Sequence, residues 1–522
     1  MTHTIPVISP SQAAAWDTRA EAAGMPLETL MECAGRAAAQ VIAARLPQVL
    51  RQGVLILAGR GHNGGDGWVI ARALHVAGVR VVVTSIAGAD EAAPLTTRVA
   101  DRARRDGVRE VPHDGPWPSV GLVVDAVLGS GARGVPRAPI PALLARVADL
   151  HLPIVAIDGP TGLDLASGVS HEAPMAQLTI TCNALRRGHL LARDECGDVV
   201  VVDAGLPAQL AGDLPQLVTD AWAAHRLTPF DADAHKGRRG RVLIVGGAPG
   251  MSGAVRLAAR AAFAAGAGLV WSLSPAESTA LLAAAEPDLQ TRSTTLTAPL
   301  DSETRALVAQ ADVVVIGPGL GRAAGTAEFV LAVLAAAKAA VIDADALTVL
   351  APHRAQLIAA AERMPLLLTP HPGEFRTLCP EHASGCELDP WTAAAAAAAD
   401  LRCALLLKGV PTVVAHPSPT LRTVAAGNPG LATGGSGDVL AGIAGALLAQ
   451  GHATDVAGAL AAQALGRAAD IAARRCSARS LRPMDVVEAC RDLWREWAVW
   501  RTTPPVPCPP VLFELAAPQR AP

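Results

Sequence analysis

Short apolar runs alternate along the chain with longer stretches rich in alanine and leucine. In the first half the runs are Val54 to Ala58, Val81 to Thr84, Leu122 to Val124, Ile154 to Ile157 and Val199 to Val202. Runs this short, apolar at nearly every position, read as strands buried on both faces, with helices between them. The alternation predicts a parallel sheet covered by helices, the α/β class. It resumes with Val242 to Val245, Val313 to Ile316, Ala340 to Ile342, Leu366 to Leu368 and Ala404 to Leu407, and ends in helical segments near Asp485.

Between the two series, about Gln209 to Ala234, lies a polar stretch with Pro215, Pro229 and the pair Asp231 and Asp233. At 522 residues the chain exceeds what one core accommodates. Two α/β domains are therefore expected, 1–222 and 223–500, with 501–522 as a Pro-rich tail. The run Pro504-Pro505-Val506-Pro507-Cys508-Pro509-Pro510 favours extended polyproline structure, as a tail or a docked segment.

Composition narrows the partners. A net charge of −3 gives no general attraction for nucleic acid or an anionic membrane. The 51% apolar content is largely alanine, and the tract Ala393 to Ala399 is too short to span a bilayer. Asp389-Pro390 before it is a helix-start signal. Met1 to Pro10 lacks the features of a secretory signal, so a cytoplasmic location is expected. Nine cysteines without a CxxC pair indicate buried free thiols, neither a disulfide framework nor a zinc site.

In the second domain, Thr433-Gly434-Gly435-Ser436-Gly437-Asp438 leads into Val439 to Leu448, whose apolar residues recur at helical spacing. Free N–H groups and the helix dipole favour an anion there, and glycines let a phosphate approach. Asp438, beside that phosphate, suits handling a hydroxyl proton. Alone, a Gly-rich turn before a helix is more often plain structure than a site, so its neighbours matter. Only three lysines occur, Lys236, Lys338 and Lys408. Lys408-Gly409-Val410-Pro411-Thr412 follows a strand, where an ammonium meets a phosphate, a ribose or only solvent. Gly246 to Gly250, Gly317-Pro318-Gly319-Leu320-Gly321 and Thr369-Pro370-His371-Pro372-Gly373-Glu374 also follow strands, where ligands of such sheets bind. Asp343 and Asp345 add carboxylates at that edge, as surface acids or as groups orienting Mg2+ through water.

Together, from about His235 to Asp485, these motifs resemble the ribokinase-like dehydratase domain of the NAD(P)H-hydrate repair enzymes. The resemblance implies that Ala254, Gly319, His371 and Asp438 contact the hydrated nicotinamide nucleotide, and that Lys408, Gly409, Val410, Pro411, Thr412 and Gly437 contact the adenine nucleotide. It implies phosphorylation of the hydrate's hydroxyl by ADP, then elimination to NADH or NADPH with AMP and phosphate. Leu465-Gly466 departs from the family's His-Gly, which predicts a packing change.

In the first domain, Gly59-Arg60-Gly61-His62-Asn63-Gly64-Gly65-Asp66-Gly67 lies between a strand and the helix expected over Trp68 to Ala77. This is the setting of a dinucleotide fingerprint, but the next strand ends in Ser85 without a ribose-binding acid. Asn63, Asp125 and Thr161 offer oxygens to one crevice, a set suited to K+ or to turn and cap duty. From Pro6 to Pro207 these pieces resemble the Rossmann-like, three-layer epimerase domain of the same family. The resemblance assigns His62, Asn63, Gly64, Gly65, Asp66, Gly129, Ser130, Gly131, Ala132, Arg133, Gly134, Val135 and Asp158 to the hydrate, and K+ to Asn63, Asp125 and Thr161. Asp158 is the expected proton carrier.

Thr161 replaces the family's Ser, and Cys182 and Arg186 stand where Phe and Lys are usual. Arg keeps the charge but cannot give up a proton. The leading expectation is thus a bifunctional repair enzyme acting on NADHX and NADPHX, with self-association as a homo-oligomer. An active second domain with an impaired first domain acting as a binding or assembly module is one alternative. A ribokinase-like kinase of a small alcohol is another, opposed by the His235-Lys236-Gly237 and Thr369 to Glu374 runs.

Overall fold

The computed structural model describes residues 5–86, 91–206, 214–503 and 508–518. Residues 209–213 of the interdomain stretch and 504–507 of the proline run lie outside them. Two compact units emerge, His3–Leu214 joined by Val506–Pro518, and Pro215–Pro505.

The first unit is built on an eight-stranded sheet. Val54–Ala58 has Val81–Ser85 and then Arg109–Pro112 on one side, and Leu122–Ala126, Ile154–Ile157, Leu178–Cys182 and Asp198–Val202 on the other, all parallel. The chain leaves its first strand on one side and returns on the other, opening a crevice at the carboxyl ends of Val54–Ala58 and Leu122–Ala126. Gly59 allows the two loops to cross there, since a Cβ would run into the Val127 carbonyl. All five expected strands are present, within two residues at their ends.

Two boundaries differ from expectation. Val511–Leu515 is a strand, antiparallel to Asp198–Val202, so the described end of the chain is not a tail. Its apolar Val511, Leu512 and Phe513 suit a half-buried strand, and pairing covers an otherwise open sheet edge. Residues 215–222 join the second unit: Gln216–Leu217 pairs with Leu421–Val424, and Asp220 binds Arg467 at 2.7 Å.

The second unit carries a ten-stranded sheet. Arg241–Val245 lies between Leu269–Ser274 and Val313–Ile316, and Ala340–Ile342, Leu366–Leu368 and Ala404–Leu407 follow, all parallel. Thr412–Ala415 and Leu421–Val424 continue it antiparallel. The same reversal of chain order therefore opens a crevice between Arg241–Val245 and Val313–Ile316. Helix Pro390–Leu401 starts as read, with Asp389 accepting from the Thr392 amide at 3.1 Å. Its small Ala394, Ala397 and Ala398 are fully buried.

No helix among the described residues is long and apolar enough to cross a membrane. All nine cysteines are free thiols; Cys33 and Cys508 are exposed, contrary to the expectation of burial.

Candidate functional sites

In the first unit, His62, Asn63, Asp66, Asp158 and the loop Gly129 to Val135 line one cavity of about 770 Å3. Gly64 and Gly65 do not line it. They are buried in helix His62–Val76, where a Cβ would strike the Gly59 carbonyl or the Met31 side chain, so they set the helix's closeness to its neighbours. Asp125 and Thr161 lie outside the lining too, joined to each other: the Thr161 hydroxyl and amide donate to the Asp125 carboxylate at 2.7 and 2.8 Å.

Burial pushes the Asp125 carboxyl up, against the Thr161 and Val127 hydrogen bonds. Asp125 has no basic partner among the described residues, and both side-chain polar atoms of Asn63 are buried without a hydrogen bond. A carboxylate and an amide carbonyl left so are the donor set that a weakly charged hard cation satisfies.

Asp158 is the most tightly held group in the cavity. Its carboxylate accepts from the Ser130 amide at 2.6 Å and meets Arg186 Nε at 3.1 Å. Burial opposes its ionisation, but Arg186 and the Ser130 amide outweigh it and hold the carboxyl below its usual range. Its φ of 64° is a strained conformation for a residue other than glycine. Arg186 thus forms the ion pair despite replacing the expected Lys. Burial pushes the Cys182 thiol up.

Three contributors carried no sequence signal strong enough to single them out. His189 is held neutral by burial, its pKa lowered to about 4. It accepts from the Arg186 amide at 3.1 Å through Nδ1 and reaches the Asp158 carbonyl at 2.5 Å through Nε2, fixing the backbones of both partners. Trp16 and Asp17, on helix Pro10–Ala22, also line the cavity. No motif marks a lone Trp-Asp on a helix.

In the second unit the glycine run sits at the start of helix Ser436–Ala449, as read, with Gly435 left-handed at φ 99°. Asp438 is in its first turn, where the Lys408 ammonium and a carboxylate oxygen of Asp343 lie 3.5 and 3.7 Å from the Cβ position of Gly437. Lys408 binds Asp343 at 2.8 Å and approaches Glu374 at 3.6 Å, so its charge is committed to protein carboxylates. Asp343 is almost fully buried and also accepts from the Thr369 hydroxyl at 2.8 Å. Burial and the Asp343 carboxylate push the Asp438 carboxyl up to about 7, against the pull of Lys408.

His371 caps helix Pro372–Leu378, accepting at Nδ1 from the Gly373 amide at 2.9 Å, and meets Glu374 at 3.2 Å. Ala254 and Gly319 are neighbours, 3.2 Å between the Ala254 Cβ and the position a Gly319 Cβ would take. The Lys408 to Thr412 turn is closed by the Thr412 hydroxyl on the Gly409 carbonyl at 3.1 Å, with Val410 exposed and Pro411 buried. Asp345, expected to help order Mg2+, is instead held by the Gly321 amide at 3.0 Å and Arg322 at 2.6 Å. Its carboxylate is committed elsewhere.

Residues 27–188 match the family described as YjeF-related protein N-terminus, and residues 242–491 match NAD(P)H-hydrate dehydratase. The bifunctional NAD(P)H-hydrate repair enzyme Nnr of Escherichia coli (strain K12) is 37% identical over 90% of this chain and 89% of its own length. The chain belongs to this family of bifunctional repair enzymes. The Nnr of Moorella thermoacetica is 36% identical over 89% of this chain and 92% of its own. Among solved structures, an ADP/ATP-dependent NAD(P)H-hydrate dehydratase from Bacillus subtilis, co-crystallised with ATP/Mg2+, is 25% identical. It covers 53% of this chain and 97% of its own, with a TM-score of 0.46. For this bifunctional NAD(P)H-hydrate repair family member, the two matched segments fall one in each unit, each with its own crevice.

Proposed function

We propose that the first unit epimerises hydrated NADH and NADPH and that the second dehydrates one epimer at the expense of ADP. The observation that carries the second half is Asp438, at a helix start open to an anion, with its carboxyl poised near neutrality. Free amides of the first turn and the helix dipole receive the nucleotide's phosphates. Asp438, ionised, takes the proton of the hydrate's hydroxyl as that oxygen attacks the terminal phosphorus of ADP. AMP leaves; the phosphate then departs from the ring far more readily than hydroxide, giving the reduced nicotinamide. Lys408 keeps Asp343 neutralised beneath this site, and Ala254, Gly319 and His371 contribute to the hydrate's side of it.

In the first unit, ring-nitrogen assistance expels the hydrate's hydroxyl and water returns on either face. K+ fits Asn63, Asp125 and Thr161 by the orphaned amide and the uncompensated carboxylate, and when bound supplies a fixed positive charge under the cavity. Mg2+ does not fit Asp345, which Arg322 occupies, and Asp343 is paired with Lys408.

The test uses both hydrate epimers with ADP or ATP. Recovery of reduced nicotinamide from both epimers, with AMP and phosphate formed from ADP, is expected. No recovery with either nucleotide overturns the second unit's reading, and recovery that stops at one epimer overturns the first's.

A further inference from the structure

A single carboxylate held like Asp158 leaves half of an epimerisation unserved. The hydroxyl leaves one face of the ring and water enters the other, so one group must give a proton while a second takes one. Asp158 is committed as an anion by Arg186 and the Ser130 amide. Asp66, in helix His62–Val76, lines the same cavity and is half-buried. It has no hydrogen-bond or ion-pair partner among the described residues.

We propose, on the reading of this unit as an epimerase, that Asp66 is its second catalytic carboxyl. Asp66 gives a proton to the leaving hydroxyl, while Asp158 takes one from the water entering the opposite face. The C–O bond breaks with its electron pair leaving on water, and the ring nitrogen's lone pair forms the C=N bond. Water then adds from the other side, the C=N pair returns to nitrogen, and the proton that water loses goes to Asp158. Nothing is oxidised or reduced. The two carboxyls exchange protonation, and passage in the reverse direction or exchange with solvent resets them.

The surroundings hold the two acids in opposite states. Burial, then the nearby Asp158 and Asp17 carboxylates, push Asp66 well above the usual carboxylate range. Asp17 in turn faces Arg186, Asp158 and His62, and Cys182 borders the same acids. Two carboxyls whose environments drive them apart are the arrangement by which one site supplies both an acid and a base.

Exchange between the epimers, followed chromatographically on the full chain without nucleotide, tests this. Asp66→Asn is expected to lower kcat about 100-fold or more with KM within about threefold, the size of effect general acid catalysis gives. Asp17→Asn leaves Asp66 in place but removes a negative neighbour, so the high-pH limb of the rate profile moves to lower pH. Unchanged kcat in Asp66→Asn, a loss confined to KM, or an unmoved limb in Asp17→Asn overturns the proposal. If the unaltered protein itself does not exceed the spontaneous rate, the epimerase reading has failed first, a distinct result.

Discussion

Asp438 and Asp158 are both buried-site carboxylates at strand or helix ends, and their neighbours give them opposite characters. Asp438 faces Asp343, so burial and repulsion raise it to about 7. Asp158 faces Arg186, and is lowered. A base with a raised pKa is in its working form only above that value, so dehydratase kcat/KM should rise with pH through about 7 and level off above it. Asp438→Asn should retain AMP binding and lose turnover and that pH limb together; turnover like the unaltered protein's removes Asp438 from the mechanism.

Lys408 acts one layer deeper. Replacing it by Met strands Asp343, whose side chain is only 2% exposed, as an uncompensated charge. Denaturant unfolding should then show the second unit weakened by about 3 kcal/mol, the scale for breaking a buried pair. The pH limb should also move up, because Lys408 is what pulls Asp438 down. The motif Leu407-Lys408-Gly409 was legible as a feature of the strand end, but not that its ammonium is turned to Asp343 and Glu374. Those partners lie at the starts of two helices that follow other strands.

At the scale of elements, most inner strands were legible because burial on both faces leaves a continuous apolar run; Leu178–Cys182 and Leu269–Ser274, interrupted by threonines and serines, were not. Strands Arg109–Pro112 and Gln290–Ser293 were not, since an edge strand needs no such run and theirs is polar. Val511–Leu515 was hidden behind prolines. It adds to the edge of Asp198–Val202, where Ala517 donates to Asp198 at 2.7 Å and Arg193 to the Ala516 carbonyl at 2.6 Å. A chain ending at Thr503 should lose about 2 kcal/mol from the first unit, the worth of a few half-buried apolar side chains. Calorimetry should show that unit's transition lowered and the second unit's unmoved; an unchanged first transition would mean that the strand is dispensable.

Across the whole molecule, both units open a crevice where strand order reverses, with a glycine that admits no Cβ at each crossing, Gly59 against Val127 and Gly246 against Pro318. The sequence by itself determined the two α/β sheets, most of their inner strands, the glycine-rich helix starts and the family's motifs, because each is written in a few neighbouring residues. The division at Leu214, the closing strand Val511–Leu515 and the contributions of Asp17 and His189 were decided only by tertiary structure. So was the state of each acid. Proton affinity depends on burial and on charges brought close from distant parts of the chain, as Arg186 is to Asp158 and Asp343 to Asp438, and local sequence does not encode those distances.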